Sequence, residues 1–191
     1  MRKLLITLLS LVFIYLLWPY IAVFNLYIVL KTKDIAGVEK CIDWASFRKD
    51  FRTSLDNLVE VKLKENLDKR EINFTFDSLT LAKEISDKIA NPKGLIYLFN
   101  QPDKFIEQIR QIFKNTLPPE KMNPPIPEKT VFEFEGPNFK SLFDKIKYAF
   151  FTKPNRFRLS LNQGGLIFTL EWELKGFFWQ LTRMKMPINK I

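Results

Sequence analysis

The chain has 191 residues with a formal net charge of +9, and its 47% hydrophobic and 27% charged residues are enough to build and solvate one folded domain. It contains one cysteine and no histidine, which excludes an internal disulfide, zinc-finger frameworks, histidine-dependent catalytic triads and the usual zinc hydrolase sites. We therefore expect a protein that is not an enzyme and that uses no cofactor and no metal.

Residues 1–25 are typical of a membrane anchor. Arg2 and Lys3 precede a run from Leu4 to Leu30 that contains no charged residue. Its first part already has the roughly 20 residues that a helix needs to cross about 30 Å of hydrocarbon. The end of this part, around Pro19, lacks the small residues of a signal-peptide cleavage site. We therefore predict an uncleaved anchor and disfavour a cleaved signal peptide or a buried core helix.

The charges that precede the anchor predict its orientation. Arg2 and Lys3 should stay in the cytoplasm under the positive-inside rule. The chain would then cross a bacterial inner membrane once, with its folded domain in the periplasm. Trp18 and Tyr20 suit an interfacial aromatic belt near the outer end of the span, and Pro19 can kink the helix or mark where it leaves the bilayer.

Residues 26–116 show the patterns of several short helices. Asp34 is placed to cap a helix over 35–41, and Asp43 to cap a longer amphipathic helix that ends near Leu63. Outside its loops, this part of the chain is predicted to be helical.

Prolines mark the boundaries of the next predicted helices and of the loop after them. Pro92 and Pro102 each stand at the first position of a further predicted helix. Five more prolines crowd residues 118–127. We therefore predict an extended loop over residues 117–136.

Residues 137–191 are predicted to form an antiparallel sheet in the same domain. Apolar residues alternate with polar ones over four runs that are separated by turn residues. In the last run the apolar positions change parity near Thr182 or Arg183, which indicates a β-bulge. The predicted fold class is α+β, with an N-terminal transmembrane helix, several short helices and a β-meander of about four strands packed on them.

Residues in all parts of the domain resemble a known family, the bacterial domain-of-unknown-function 2939 family. The resemblance is carried by an N-terminal set, a short middle segment and the last strands. These residues are Pro19, Tyr20, Leu26, Asp34, Ile42, Asp43, Phe47, Arg48 and Leu55, then Asn91, Pro92, Lys93, Gly94 and Leu95, and finally Arg156, Phe157, Trp179, Leu181, Met186 and Pro187.

The resemblance implies an N-terminal membrane segment and no assigned activity, and it carries over no catalytic residue. We expect structural roles for its signature residues Asp34, Asp43, Arg48 and Trp179. The two aspartates would cap helices, and Arg48 would pair with an acidic neighbour while its aliphatic stem packs.

The excess positive charge lies in the predicted sheet. Residues 26–136 contain eighteen basic and eighteen acidic residues, whereas residues 137–191 contain ten basic and three acidic ones. The candidate contacts to an anionic surface are Lys147, Lys153, Arg156 and Arg158, with both guanidinium groups expected to be free. Anionic lipid, an anionic envelope polymer and a merely solvated face stay open as interpretations, while an envelope location disfavours nucleic acid.

The predicted function is that of a non-catalytic, membrane-anchored binding or interaction module of the cell envelope, with an unidentified protein partner. The first alternative is a module that binds anionic lipids or amphiphiles through its basic sheet. The second is a hydrolase that uses only carboxylates, because Glu171 and Glu173 lie on one face of one strand. Cross-strand pairing with Lys or Arg would give these two acids a structural role.

Overall fold

The computed structural model describes residues 2–67, 83, 86–101, 103–104, 107–108, 111, 145–163 and 166–185. The predicted loop over 117–136, the resemblance at Met186 and Pro187 and most of the helix predicted after Pro102 lie outside these residues.

The bounds of four helices are described. Helix α1 covers Arg2–Lys31 and contains Pro19 without ending there. It is followed by α2 (Ile35–Cys41), α3 (Trp44–Leu67) and α4 (Pro92–Asn100). Helix α1 therefore continues past residue 25, where the anchor was predicted to end.

The sheet has four strands, which are β1 (Ile146–Lys153), β2 (Arg156–Gln163), β3 (Leu166–Lys175) and β4 (Phe178–Lys185). Their spatial order is β1-β2-β3-β4 and every neighbouring pair is antiparallel. The predicted meander is confirmed. The β1–β2 and β3–β4 turns lie at one end of this sheet, because hairpins two strands apart in a meander turn at the same end.

Thr182 is the residue at which β4 departs from a regular ladder. Leu181 pairs with Trp172 and Arg183 pairs with Glu171, so Thr182 has no residue opposite it. Its hydroxyl donates to the backbone carbonyl of Glu171 at 3.2 Å. The extra residue keeps Leu181 and the later Met184 on the apolar face of the sheet, and both are buried. The predicted bulge is confirmed.

The core lies between the apolar face of the sheet and the helices. Its largest fully buried side chains include Trp172 and Phe157 from the sheet and Phe47 and Phe51 from α3. The chain before α3 also pairs with the edge of β4 through a bridge between Ile42 and Leu181. Helix α3 then contacts β4, so the outer edge of this strand is covered. The predicted α+β class, with the sheet packed on helices, is confirmed.

Candidate membrane-facing surface

Helix α1 presents a continuous apolar surface at its N-terminal end. Among the helices of the described residues, α1 is the one that is long and apolar enough to cross a membrane. A signal sequence near the N-terminus has the same property. Every side chain from Arg2 to Ile14 is exposed. This exposure does not fit the alternative of a core helix buried inside the protein.

The middle of α1 packs on the sheet through two tyrosines. Tyr15 stacks on Phe151 with ring centroids 5.8 Å apart, and its hydroxyl donates to the carbonyl of Pro154. Tyr20 meets Phe157 edge to face at 4.8 Å, and its hydroxyl donates to a carbonyl of β1 at 3.0 Å. Tyr15 therefore lies beside the β1–β2 turn, and the helix rises from there along the sheet.

The last part of α1 belongs to the core. Leu26, Val29 and Leu30 are all buried. The side-chain amide of Asn100, at the end of α4, donates to the carbonyl of Leu30 at 3.0 Å. One helix thus provides an exposed apolar segment at one end and core residues at the other.

Trp179 lies where α1 meets the sheet. It is buried, with its ring 6.5 Å from that of Tyr15 and 5.7 Å from that of Phe151. This packing fits the structural role that was expected for Trp179.

The two signature aspartates differ in what they do. Asp43 caps α3, because its Oδ1 accepts a hydrogen bond from the backbone N–H of Ser46 at 3.3 Å and its Oδ2 accepts one from the Ser46 hydroxyl at 2.7 Å. Asp34 occupies the N-cap position of α2, but its side chain makes no cap hydrogen bond. The predicted cap is therefore confirmed for Asp43 and wrong for Asp34, whose backbone carbonyl accepts from Val38 instead.

Asp43 also ties the helices to the sheet. Its carboxylate accepts a hydrogen bond from the ammonium of Lys175, at the end of β3. This hydrogen bond, assisted by Ser46 and opposed by partial burial, lowers the pKa of Asp43 to about 2. The lowered pKa means that the ionised form of Asp43 is favoured over the protonated form more strongly in the folded protein than in the unfolded chain.

We expect Asp43→Ala to reduce the free energy of unfolding by about 1–2 kcal/mol, because it removes a cap and an ion pair whose lysine is 43% exposed and partly screened. Since the folded pKa lies below the unfolded value, this contribution is present above about pH 4 and is lost as the pH falls toward 2. Urea unfolding of the wild type and of Asp43→Ala would measure the loss at pH 6, and Asp43→Asn, which retains a capping group, would isolate the contribution of the ion pair. A difference in stability between the wild type and Asp43→Asn that is unchanged from pH 6 to pH 2.5 would contradict the assignment.

Arg48 has a different partner from the one expected. Its Nε donates to the backbone carbonyl of Ala90 at 3.0 Å, and its guanidinium carbon lies 5.7 Å from the ring centroid of Trp44. The predicted pairing with an acidic neighbour is therefore wrong among the described residues. Arg48 joins α3 to the segment before α4 through a hydrogen bond and a cation–π contact.

The polar face of the sheet is a network of cross-strand ion pairs. Arg156 pairs with Glu173 at 2.7 Å, and Arg158 reaches Glu171 through two nitrogens at 2.6 and 2.8 Å. The prediction that both guanidinium groups are free is wrong, because each arginine stands directly across the strands from a glutamate. The cross-strand pairing of these glutamates is confirmed.

Arg183 extends this network to the neighbouring helix. Its guanidinium lies 3.7 Å from Glu171, 3.9 Å from Glu173 and 3.9 Å from Asp50 of α3. Burial raises the pKa of Asp50, against the opposing effect of Arg183. The sequence analysis named Arg183 only as a possible position of the bulge. It did not predict the contact between Arg183 and Asp50, because this contact depends on how α3 packs against β4.

The two candidate lysines lie far apart on β1. Both are exposed, and neither forms an ion pair with a described residue. Lys153 pairs in register with Arg156 beside the β1–β2 turn. Lys147 is six residues away, about 20 Å at 3.3 Å per residue. The structure therefore places Lys153, Arg156 and Arg158 toward the end of the sheet that contacts Tyr15, and Lys147 toward the other end.

Tyr15 is a functional candidate that the sequence analysis did not identify. It lies within the apolar run of the predicted anchor and has no neighbour in sequence that would distinguish it. Its hydroxyl is the available signal, because a polar group inside a hydrocarbon-spanning helix needs a partner.

The molecule is thus an α+β domain whose first helix combines an exposed apolar segment with core residues. The model of the family described as "Protein of unknown function (DUF2939)" matches residues 8–98. Over these residues the chain is similar to the DUF2939 family, and the resemblance is confirmed there. The match includes Asp34, Asp43 and Arg48 but not the sheet residue Trp179. No curated protein and no solved structure matches the chain.

Proposed function

We propose that this protein is a non-catalytic interaction module of the bacterial envelope, held on the periplasmic side of the inner membrane by an uncleaved α1. The observation that carries the proposal is the double role of this helix. Its exposed apolar segment up to Ile14 is suited to lipid, and its later residues, such as Leu26 and Leu30, are part of the core. The helix that would enter the membrane is therefore continuous with the folded domain.

Contacts of α1 with the sheet favour retention of the helix over cleavage. A cleavage near Ala22 would remove Tyr15, Pro19 and Tyr20 from the protein. The aromatic rings of Phe157 and Trp179, which are buried beneath the tyrosines, would then be exposed to water. Such exposure is unfavourable because each aromatic side chain buries a large apolar area.

The chemistry of the described side chains supports a non-catalytic role. Glu171 and Glu173 are held by arginines in the ion-pair network. Burial, reinforced by the nearby Asp34, raises the pKa of the Cys41 thiol and so disfavours the nucleophilic thiolate. Binding through a surface remains the function that this arrangement supports best.

Location and retention can be tested together in cells. Alkaline phosphatase fused after Ile191 is expected to be active, and mass spectrometry of the purified fusion should recover an N-terminal peptide that contains Leu4. A parallel fusion to β-galactosidase, which is active only in the cytoplasm, is the matched control and should be inactive. A soluble product that begins near Ala22 would contradict the proposal.

The basic residues of the sheet favour a second role, contact with anionic lipid headgroups. Lys153 carries this idea, because it is exposed, lacks an ion pair with a described residue and lies beside the turn that contacts Tyr15. The proposed anchor places that turn close to the membrane. A lysine near an anionic surface contributes about 1 kcal/mol of binding free energy, within a Debye length of about 8 Å at physiological salt.

We expect the full chain to melt at a higher temperature in nanodiscs containing phosphatidylglycerol than in nanodiscs of phosphatidylcholine alone. The difference should shrink as salt is added, and Lys153→Glu should remove most of it while leaving the melt in neutral lipid unchanged. Lys147→Glu is the matched control, because its charge lies about 20 Å farther along β1. Equal melting temperatures in both lipids at low salt would mean that the basic face is only solvated.

Arg156 and Arg158 are unsuitable for that test. Charge reversal at Arg158 would place two carboxylates together at Glu171, whose side chain is only 10% exposed. The melting temperature should then fall even in neutral lipid, so a loss of lipid binding could not be separated from a loss of stability.

A further inference from the structure

The β3–β4 turn lies at the same end of the sheet as the segment of α1 that contacts the β1–β2 turn. The backbone N–H of Leu174, at the end of β3, donates to the carbonyl of Asn155 in the β1–β2 turn at 3.0 Å. The carbonyl of Pro154, in that same turn, accepts from Tyr15. Both turns are therefore close to the level of Tyr15 along the helix.

The β3–β4 turn exposes two consecutive phenylalanines. Phe177 is 80% exposed and Phe178 is 71% exposed. Gly176 begins the turn with a φ of +61°, and a Cβ placed there would meet nothing within 4 Å. This conformation fits a two-residue type II′ hairpin turn. Large apolar side chains in such a position are unfavourable in water.

The length of the part of α1 that does not pack on the domain indicates where Phe177 and Phe178 would lie relative to a membrane. The segment from Leu4 to Ile14, which has no packing on the domain, extends only about 16 Å at 1.5 Å per residue. The hydrocarbon core of a bilayer is about 30 Å thick. Because this segment is shorter than the hydrocarbon core, a span formed by it requires local thinning of the bilayer and snorkelling of Arg2 and Lys3. The β1–β2 turn, which contacts Tyr15, and the neighbouring β3–β4 turn are then drawn into the outer interfacial layer.

We propose that the β3–β4 turn is inserted into the interfacial layer of the membrane that α1 crosses, with Phe177 and Phe178 in contact with lipid. The inference rests on the proposed anchoring by α1. Lys153, beside the adjacent turn, can keep its ammonium group at the level of the headgroups while its aliphatic stem lies deeper. The domain would thus be fixed to the membrane at two points and held in one orientation.

Depth-dependent fluorescence quenching can test this geometry in the full chain. Single cysteines are introduced in a Cys41→Ala background at Phe177, Ile167 and Leu9, and each is labelled with an environment-sensitive fluorophore. The labelled proteins are reconstituted in vesicles that contain spin-labelled phosphatidylcholine. Ile167 is the matched control, because it is also an exposed apolar residue of β3, at 52% exposure, but lies about 26 Å from the end of that strand.

We expect the Leu9 and Phe177 probes to be quenched several-fold more strongly than the Ile167 probe. Quenching at Leu9 without quenching at Phe177 would overturn the insertion of the turn and leave the anchor intact. An unquenched Leu9 probe would show that the anchoring itself fails. A Phe177 probe that is shielded from water but not quenched by the lipid would indicate contact with protein, such as a second copy of the chain, and would also overturn the proposal.

Discussion

A chain that begins at Thr32, and so lacks α1, is expected to lose its cooperative unfolding transition. Leu26, Val29 and Leu30 are buried in the core, and burial of each aliphatic side chain contributes about 1.5–3 kcal/mol. Their combined loss, roughly 4.5–9 kcal/mol, is comparable to the total stability of about 5–15 kcal/mol that an ordinary domain has. The contacts of Tyr15 and Tyr20 with the sheet would be lost as well.

A chain that begins at Tyr15 is the matched control for this truncation. It lacks the exposed segment of α1 but retains every described contact of Tyr15, Tyr20 and Leu26 with the domain. Both truncated chains and the full chain would be unfolded thermally in the same mild detergent and followed by circular dichroism. The Tyr15 chain should melt near the full chain. If the Thr32 chain melts cooperatively at the same temperature, α1 is a separable tether and not part of the fold.

The dual role of α1 has a consequence for the proposed function. In a protein with a flexible linker after its anchor, the domain can take many orientations relative to the membrane. Here the helix continues without interruption from the exposed segment to Lys31, and Tyr15 and Tyr20 attach it to the sheet. A surface on this domain would therefore face the membrane, or face away from it, in a defined way.

The sheet was the part of the fold that the sequence predicted best. The faces of a strand depend on local alternation, so four strands and even the bulge at Thr182 could be recognised from parity alone. Parity also placed Arg156 and Arg158 correctly on the polar face. It could not give their cross-strand partners, because these depend on the register between β2 and β3.

The helical part shows why local patterns are insufficient for side-chain roles. Asp34 and Asp43 have the same position before a helix, yet only Asp43 caps through its side chain. Tertiary contacts distinguish them, because Lys175 reaches Asp43 across 132 positions of sequence. The contact between Tyr15 and Pro154 spans 139 positions of sequence and likewise could not be predicted from local patterns.

Gly94→Ala is expected to reduce the free energy of unfolding by about 3 kcal/mol, the upper end of the usual range for overpacking. A Cβ at this position would lie against the carbonyl oxygen of Lys88, 2.7 Å from the carbonyl oxygen of Ile89 and 2.8 Å from its Cα. Backbone atoms cannot rotate away as a side chain can. Helix α4 would have to move, which would disturb the hydrogen bond from the Gly94 N–H to Asn91 at 2.9 Å.

Gly176→Ala is the control that separates crowding from backbone conformation. Gly176 has open space around it but a positive φ, so alanine there should cost only about 1 kcal/mol through backbone strain. Gly176→Asn should cost less, since asparagine tolerates this conformation, whereas Gly94→Asn should be at least as damaging as Gly94→Ala. Urea unfolding of all four variants in the same detergent would measure these differences. Equal losses at the two glycines would mean that the start of α4 can shift to make room for a Cβ beside the backbone of Lys88 and Ile89. Crowding would then not be the physical reason for a glycine at position 94.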